Sequence, residues 1–334
     1  MSKRQVLLGC AISAAIALGS AAAPVQAKEL KISTFLPPNH TFVKTMEDWA
    51  AVLEKETGGA LTARVYPASQ LGPINRQFDL VKKGIADVAI SLHGATPGRF
   101  QMAEVASLPL VSPSAGSRSA ISSRRLTELA PKYLAKENEG MRMLWMAVTP
   151  PLMFHTTKQI KTIEDFKGLR IRYAGQIFAK IIKGLDAVPL AVKPGETTDA
   201  VAKGIIDGAT FPYEGAQSFD LGTVVKYTLE PGVSSATFGV VMSPATYDSL
   251  PDDQKALIDR TTGPDAAQAF GERWDASEGH GKAYMIEKGV EIYKLPSAEL
   301  ARMKKHLEPI IADHLANLES QGLPAGEFFK AYTK

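Results

Sequence analysis

Cysteine is nearly absent from this 334-residue chain, with Cys10 the only one. Beyond the N-terminal segment there is therefore no disulfide framework, no thiolate nucleophile and no thiolate metal site. An excess of either charge is missing too. The formal net charge is +3, and lysines and acids are interspersed. That pattern argues against a nucleic-acid stripe and against a polybasic membrane patch. The sequence contains no GxSxG nucleophile elbow, GxxxxGK[ST] phosphate loop, GxGxxG or HExxH. Its six histidines (His40, His93, His155, His280, His306, His314) are scattered, and no pair has the i, i+3 or i+4 spacing of helical metal ligands. Neither a cofactor nor a metal is expected.

One hydrophobic run stands at the N-terminus. Lys3 and Arg4 precede Val6 to Gly19, in which Ser13 is the polar exception, and a small-residue stretch ends Val25-Gln26-Ala27. This is the pattern of a secretory signal peptide, with cleavage expected after Ala27. The run is too short for a retained transmembrane anchor. Leu7-Leu8-Gly9-Cys10 resembles a lipoprotein box, but Cys10 comes early and the apolar run continues past it. Export without cysteine suits a bacterial periplasm. Losing Lys3 and Arg4 lowers the net charge to +1, and roughly 300 remaining residues suit two α/β domains better than one core.

Alternating Glu29 to Phe35 reads as a strand. Phe42, Met46, Trp49 and Leu53 follow at helical spacing until Gly58-Gly59 stops them. Leu61, Ala63 and Val65 mark a second strand, Ile74, Phe78 and Val81 a helix ending at Gly84, and Asp87 to Ser91 a third strand. Strand–helix alternation predicts a mostly parallel sheet covered on both faces. The motif KGIADVA at Lys83 to Ala89 returns as KGIIDGA at Lys203 to Ala209. Each copy closes a strand–loop–helix–strand segment, which favours two similar lobes. Pro251-Asp252-Asp253 opens a helical region to Gly289, broken or kinked at Gly263-Pro264, and a last helix spans about Ser297 to Ser320. No long linker separates the lobes, so they must share crossing strands.

The strand Leu169-Arg170-Ile171-Arg172-Tyr173 places two arginines on one face. From the pattern alone two readings stay open. That face is a solvated edge, or Arg172, nearer the strand's C-terminal end, forks onto a ligand carboxylate. Guanidinium fits that task because its planar donors match two carboxylate oxygens and its charge is permanent. Gly175 follows closely enough for the backbone to approach a ligand.

FKGLRIR after the Thr162-Ile163-Glu164-Asp165 turn resembles the central motif of the solute-binding proteins of TRAP (tripartite ATP-independent periplasmic) transporters, the DctP-like family. TGGALTARVYPASQLG (Thr57 to Gly72), LVKKGIADVAIS, AVAKGIIDGATFP and YDSLPDDQKALID (Tyr247 to Asp259) are similar to its other motifs, in the family's order. The resemblance implies a two-lobed, type II periplasmic binding protein-like α/β fold with crossing strands and a long helix joining the lobes. Its expected limits are residues 28–149 with 237–276 for lobe I and 150–236 with 277–334 for lobe II. It implies a monomeric receptor, not an enzyme, that delivers a carboxylate to small and large membrane subunits of a sodium-coupled permease. The family's carboxylate-binding arginine falls on Arg172, while Arg170 is expected at the surface. Some sialic-acid-binding members have a second arginine where this chain has Leu152 and an asparagine where it has Phe211, so a multiply hydroxylated acid is not expected.

The substrate-binding candidates are Phe35, His40, Gln70 and His93 from the first lobe, with Phe154, Arg172, Tyr173, Phe211, Tyr213 and Glu214 from the second. Aromatic side chains predominate among them, which suits an aromatic or apolar ring beside the carboxylate. Arg99 is expected to hold a first-lobe loop. Two rivals are the receptor of an ATP-driven importer and a secreted hydrolase or lyase with Glu214 or a histidine as base.

Overall fold

The computed structural model describes residues 27–114 and 118–334. The leader and Cys10 lie outside the described residues. Two sheets organise the chain, and the first follows the expected alternation. Strands β1 (Lys28–Ser33), β2 (Leu61–Tyr66) and β3 (Val88–Leu92) are parallel, connected through helices α1 (Thr41–Glu56) and α2 (Gln77–Lys82). Helix α3 (Ser119–Tyr133) leads into β4 (Arg142–Val148). Gly58 and Gly84 both take positive φ (58° and 68°), the left-handed turn that ends a helix without a Cβ clash.

The second sheet repeats this plan. β5 (Leu152–Thr156) precedes β6 (Arg170–Arg172), α4 (Gln176–Gly184), β7 (Val188–Leu190), α5 (Thr197–Ala202) and β8 (Gly208–Phe211). Then come α6 (Tyr213–Ser218), β9 (Tyr227–Ser234) and β10 (Thr237–Met242). The strand orders are β2-β1-β3-β10-β4 and, after β11 (Glu291–Lys294) and β9, β5-β8-β6-β7. Read from the far edge, β7-β6-β8-β5-β9 matches β2-β1-β3-β10-β4 strand for strand. The echoed motif sits at the same place in each copy. Asp87 accepts from Lys31 N at 2.8 Å, and Asp207 accepts from Arg170 N at 2.9 Å. Each carboxylate clasps the central parallel strand of its sheet. By register Arg172, opposite Ala209, is the counterpart of Ser33, opposite Ala89.

The chain crosses between sheets from β4 to β5 through residues 149–151 and returns from β9 to β10 through residues 235–236. Helices α7 (Pro244–Asp248) and α8 (Asp252–Arg260) follow, and the break at Gly263-Pro264 begins a new helix, α9 (Gly263–Glu287). This 25-residue helix lies against α1, α3 and β4 and then against α6, a third link between the halves. Helix α10 (Ser297–Ser320) packs on α4, and α11 (Ala325–Thr333) packs on α3 and the 103–107 turn.

Core packing aims at the crossing region. Phe42 of α1 meets Phe270 (4.1 Å between ring centres) and Trp274 (5.7 Å) of α9, while Phe238 of β10 meets Phe42 and Trp274 at 5.5 and 5.9 Å. Such pairs add roughly 0.5–1.5 kcal/mol each beyond area burial. They fix the wall that faces the site.

Candidate functional site

Strand β6 is only three residues long, and its two arginines meet different fates. Arg170 is partly exposed and makes a two-pronged ion pair with Asp207, Nε to Oδ2 at 2.9 Å and Nη2 to Oδ1 at 3.0 Å. Arg172 is 3% exposed, the one arginine fully buried among the described residues. Its Nε donates to Val192 O at 3.2 Å and its Nη1 to Thr210 O at 3.1 Å, while the guanidinium carbon lies 4.3 Å from the centre of the Phe211 ring. No described carboxylate pairs with it. Burial pushes its pKa down to about 9, in keeping with a charge that has no acidic partner among the described residues. Its side chain lines both cavities of the site.

Arg172 borders two cavities. One is a narrow chamber of about 40 Å³ walled by rings and aliphatic side chains from both sheets: Phe35 and Leu36 after β1, Leu92 at the end of β3, Leu152 of β5, Phe211 of β8, Phe219 after α6, Phe238 of β10 and Trp274 of α9. Its other polar side chains are His40 and Thr149. His40 is already engaged, because Nδ1 accepts from Phe42 N at 3.1 Å and Nε2 lies 3.3 Å from Glu214 Oε2. Burial lowers the pKa of His40, against the opposing pull of Glu214. Thr149 Oγ1 accepts from Ala236 N. The second cavity, about 210 Å³, runs from Arg172 between Gly94 to Pro97 on one side and Tyr173 to Gln176 with Ala191 to Pro194 on the other. A further cleft of about 580 Å³ lies beyond Ile74 and Pro194.

Of the candidates read from sequence, Phe35, His40, Arg172 and Phe211 meet at the inner chamber, and Tyr173 lines the second cavity. The others lie elsewhere. Gln70 is exposed on a turn. His93 is buried, bonded through Nδ1 to Thr237 Oγ1 and packed on Phe100, with burial pushing its pKa down to about 3. Phe154 packs edge-on against Phe166 in the core. Tyr213 donates to Glu230 at 2.8 Å. Glu214 accepts from Thr41 N at 2.8 Å and Ser218 Oγ at 3.0 Å, joining α1 to α6. Its carboxylate is held in a structural clasp beside His40. Arg99 holds its loop by stacking on Phe78 at 3.7 Å and pairing with Asp79. Sequence reading missed Leu92, Phe219, Phe238 and Trp274. For Trp274 the only signal is an apolar i, i+4 stripe with Phe270, which reads as core.

Chemically this is one uncompensated guanidinium at the edge of a nearly apolar, ring-lined slot between two sheets. It can hold an anion with an attached ring. Leu152 and Phe211 keep the chamber apolar on that side.

The fold is similar to that of a TRAP solute-binding protein from Rhodoferax ferrireducens in complex with copurified benzoate, at 28% identity and a TM-score of 0.87 over 92% of this chain and 96% of that one. It is similar to a marine metagenome TRAP solute-binding protein specific for aromatic acid ligands, in complex with 3-hydroxybenzoate (28% identity, TM-score 0.86, 92% and 97% covered). A Bordetella bronchiseptica TRAP periplasmic solute-binding protein with bound mandelate matches at 27% identity and a TM-score of 0.83, with 91% and 97% covered. The family model of the bacterial extracellular solute-binding proteins, family 7 (DctP), matches residues 32–318. Two lobes of the type II plan, a cleft arginine and this match across nearly the whole described chain lead to one assignment: the chain belongs to the DctP family of TRAP solute-binding proteins, which are receptors and not enzymes.

Proposed function

We propose that this receptor captures an aromatic monocarboxylate in the periplasm and hands it to the small and large membrane subunits of a sodium-coupled permease. One observation carries the ligand class: a single buried guanidinium without an acidic partner lies over Phe211 beside a chamber whose remaining walls are almost entirely apolar. A carboxylate forks onto Arg172 while the attached ring fills the space among Phe35, Phe238 and Trp274. The inner chamber has no second cation, which disfavours a short diacid. Relatives with bound benzoate, 3-hydroxybenzoate and mandelate support the reading. In this proposal residues 28–149 with 237–276 and 150–236 with 277–334 act as lobes of a monomer, released after removal of the leader near Ala27. Ligand bridging them favours the closed form by its extra affinity for that form.

The test is a thermal-shift screen followed by calorimetry. Benzoate, 3-hydroxybenzoate and mandelate should raise the melting temperature, and succinate should not. A response to short aliphatic diacids alone would refute the aromatic assignment.

A further inference from the structure

A contact beside the site joins the two sheets without passing through the ligand chamber. Gly94, just after β3, meets Gly175, just before α4: a Cβ on Gly94 would lie 2.6 Å from Gly175 Cα and 2.8 Å from Ala174 O. Only a residue without a side chain permits this approach. The carboxylate of Glu104 sits over the same spot, its Oε1 at 3.4 and 3.5 Å from the Cβ positions of the two glycines, and it faces the Gln176 backbone N–H at the start of α4. Glu104 is itself buried (7% exposed). Gln176 follows Arg172 by four residues, so whatever grips Gln176 also grips the arginine segment.

We propose that Glu104, reaching across the Gly94–Gly175 contact to the first turn of α4, is the positioning residue that latches the lobes closed, and that the latch is proton-sensitive. This inference rests on the two-lobed receptor reading. It does not depend on which acid is bound.

Three other groups surround the latch. Lys180 of α4 faces Glu104 and bonds His314 of α10 at 3.2 Å. Glu137, after α3, accepts from Met102 N and Ala103 N, and its charge couples to that of Glu104. Burial pushes Glu104 up to about 7 and outweighs both the Gln176 N–H and Lys180, which favour the ionised form. Opening the cleft would return this carboxyl to water and lower its pKa toward the ordinary 4.5. Closing therefore takes up a proton between these values, and closure weakens as pH rises through that window, by at most about tenfold per unit. The protonated acid still accepts the Gln176 N–H through its carbonyl oxygen. A glutamine at this position would do the same at every pH.

The experiment measures lobe separation by double electron–electron resonance. Spin labels are placed at Gln70→Cys and Lys203→Cys, both exposed, in a chain starting at Lys28 that has no other cysteine. Between pH 5 and pH 8 the closed fraction of the ligand-free protein should fall at least threefold. Glu104→Gln should abolish that dependence and keep the acid-side closed fraction. Glu104→Ala should open the cleft at both pH values. Gly94→Ala, whose backbone φ is ordinary, should wedge the lobes apart. A pH-independent distance distribution, or an unchanged profile in Glu104→Gln, would overturn the latch. Adding benzoate reads the ligand assignment separately: no closure with benzoate, with the pH response intact, counts against the ligand and supports the latch.

Discussion

Asp275 and Glu278 lie three residues apart on α9, and each closes the open end of a different helix. Asp275 accepts from Ser119 N at 2.9 Å and Ala120 N at 3.2 Å at the start of α3. Glu278 accepts from Tyr213 N at 3.0 Å and Glu214 N at 2.8 Å at the start of α6. Residues at i and i+3 share a helix face, so one turn of α9 secures one helix from each half of the molecule. First-turn N–H groups lack partners inside their own helix, and a buried one left unsatisfied costs about 1–3 kcal/mol. Glu278→Ala should therefore lower unfolding free energy by about 2–4 kcal/mol, since two donors are orphaned. Urea denaturation checks this, and a change below about 0.5 kcal/mol would show that water replaces the carboxylate.

Buried titratable groups give stability an optimum in pH. Burial pushes Glu137 and Glu278 up to about 8 and Glu104 up to about 7, from an ordinary 4.5. Native values above unfolded values mean that stability is full below pH 4.5 and declines as pH rises toward 7–8. His93, His155 and His314 are pushed by burial from 6.5 to about 3, 4 and 4, and His40 is also lowered. Their contribution is full above pH 6.5 and declines as pH falls. The two sets oppose each other between 4.5 and 6.5, and only one acts outside that window. The melting temperature should peak near pH 6 and fall on both sides. A scan from pH 4 to 9 tests this, and Glu278→Gln should flatten the limb between 6.5 and 8.

The parallel segments and the duplicated motif were readable because each is local: glycine after a helix, aspartate before a strand, apolar residues at period two or 3.6. At Arg172 the strand pattern left a solvated edge and a ligand anchor both open, and only its burial on a strand inside the sheet removes the first. The chamber's far wall was not. Phe238 arrives on the return strand β10 and Trp274 on α9, and neither departs locally from a core pattern. Conversely, His93 follows its strand by one residue, yet it turns into the core against Phe100 and Thr237. Phe154 lies in a strand whose five residues are all buried, so no alternation marks which face meets the cleft.

At the anchor, charge and fork geometry separate experimentally. Arg172→Ala should weaken benzoate binding by about 2–5 kcal/mol, the cost of truncating one partner of a buried charge pair. Arg172→Lys keeps the charge but loses the planar fork and the bonds to both Val192 O and Thr210 O, so it should recover only part of that loss. Phe211→Leu removes the ring under the guanidinium and should cost about 0.5–2 kcal/mol. Calorimetry on all three, with circular dichroism to confirm folding, reads the series. Equal affinity for the alanine and lysine variants would leave charge without a role.

Two glycines of α9 provide an internal control for packing. Gly281 is buried against the backbone of Tyr213, where a Cβ would lie 2.4 Å from both its carbonyl carbon and oxygen. Gly279, two residues earlier, is exposed with nothing within 4 Å. Both have ordinary helical φ, so helix propensity alone favours alanine at each by about 1 kcal/mol. Gly279→Ala should stabilise the protein by roughly that amount. At Gly281 the clash is with backbone, which cannot rotate away, and overpacking of this kind costs about 1–3 kcal/mol or more. Gly281→Ala should therefore destabilise, and because it pushes α6 away from α9 it should also disturb the Glu214–His40 clasp beside the chamber and weaken benzoate binding. Denaturation and calorimetry on the pair decide the matter: equal stabilisation by both substitutions would mean that α6 moves freely on α9.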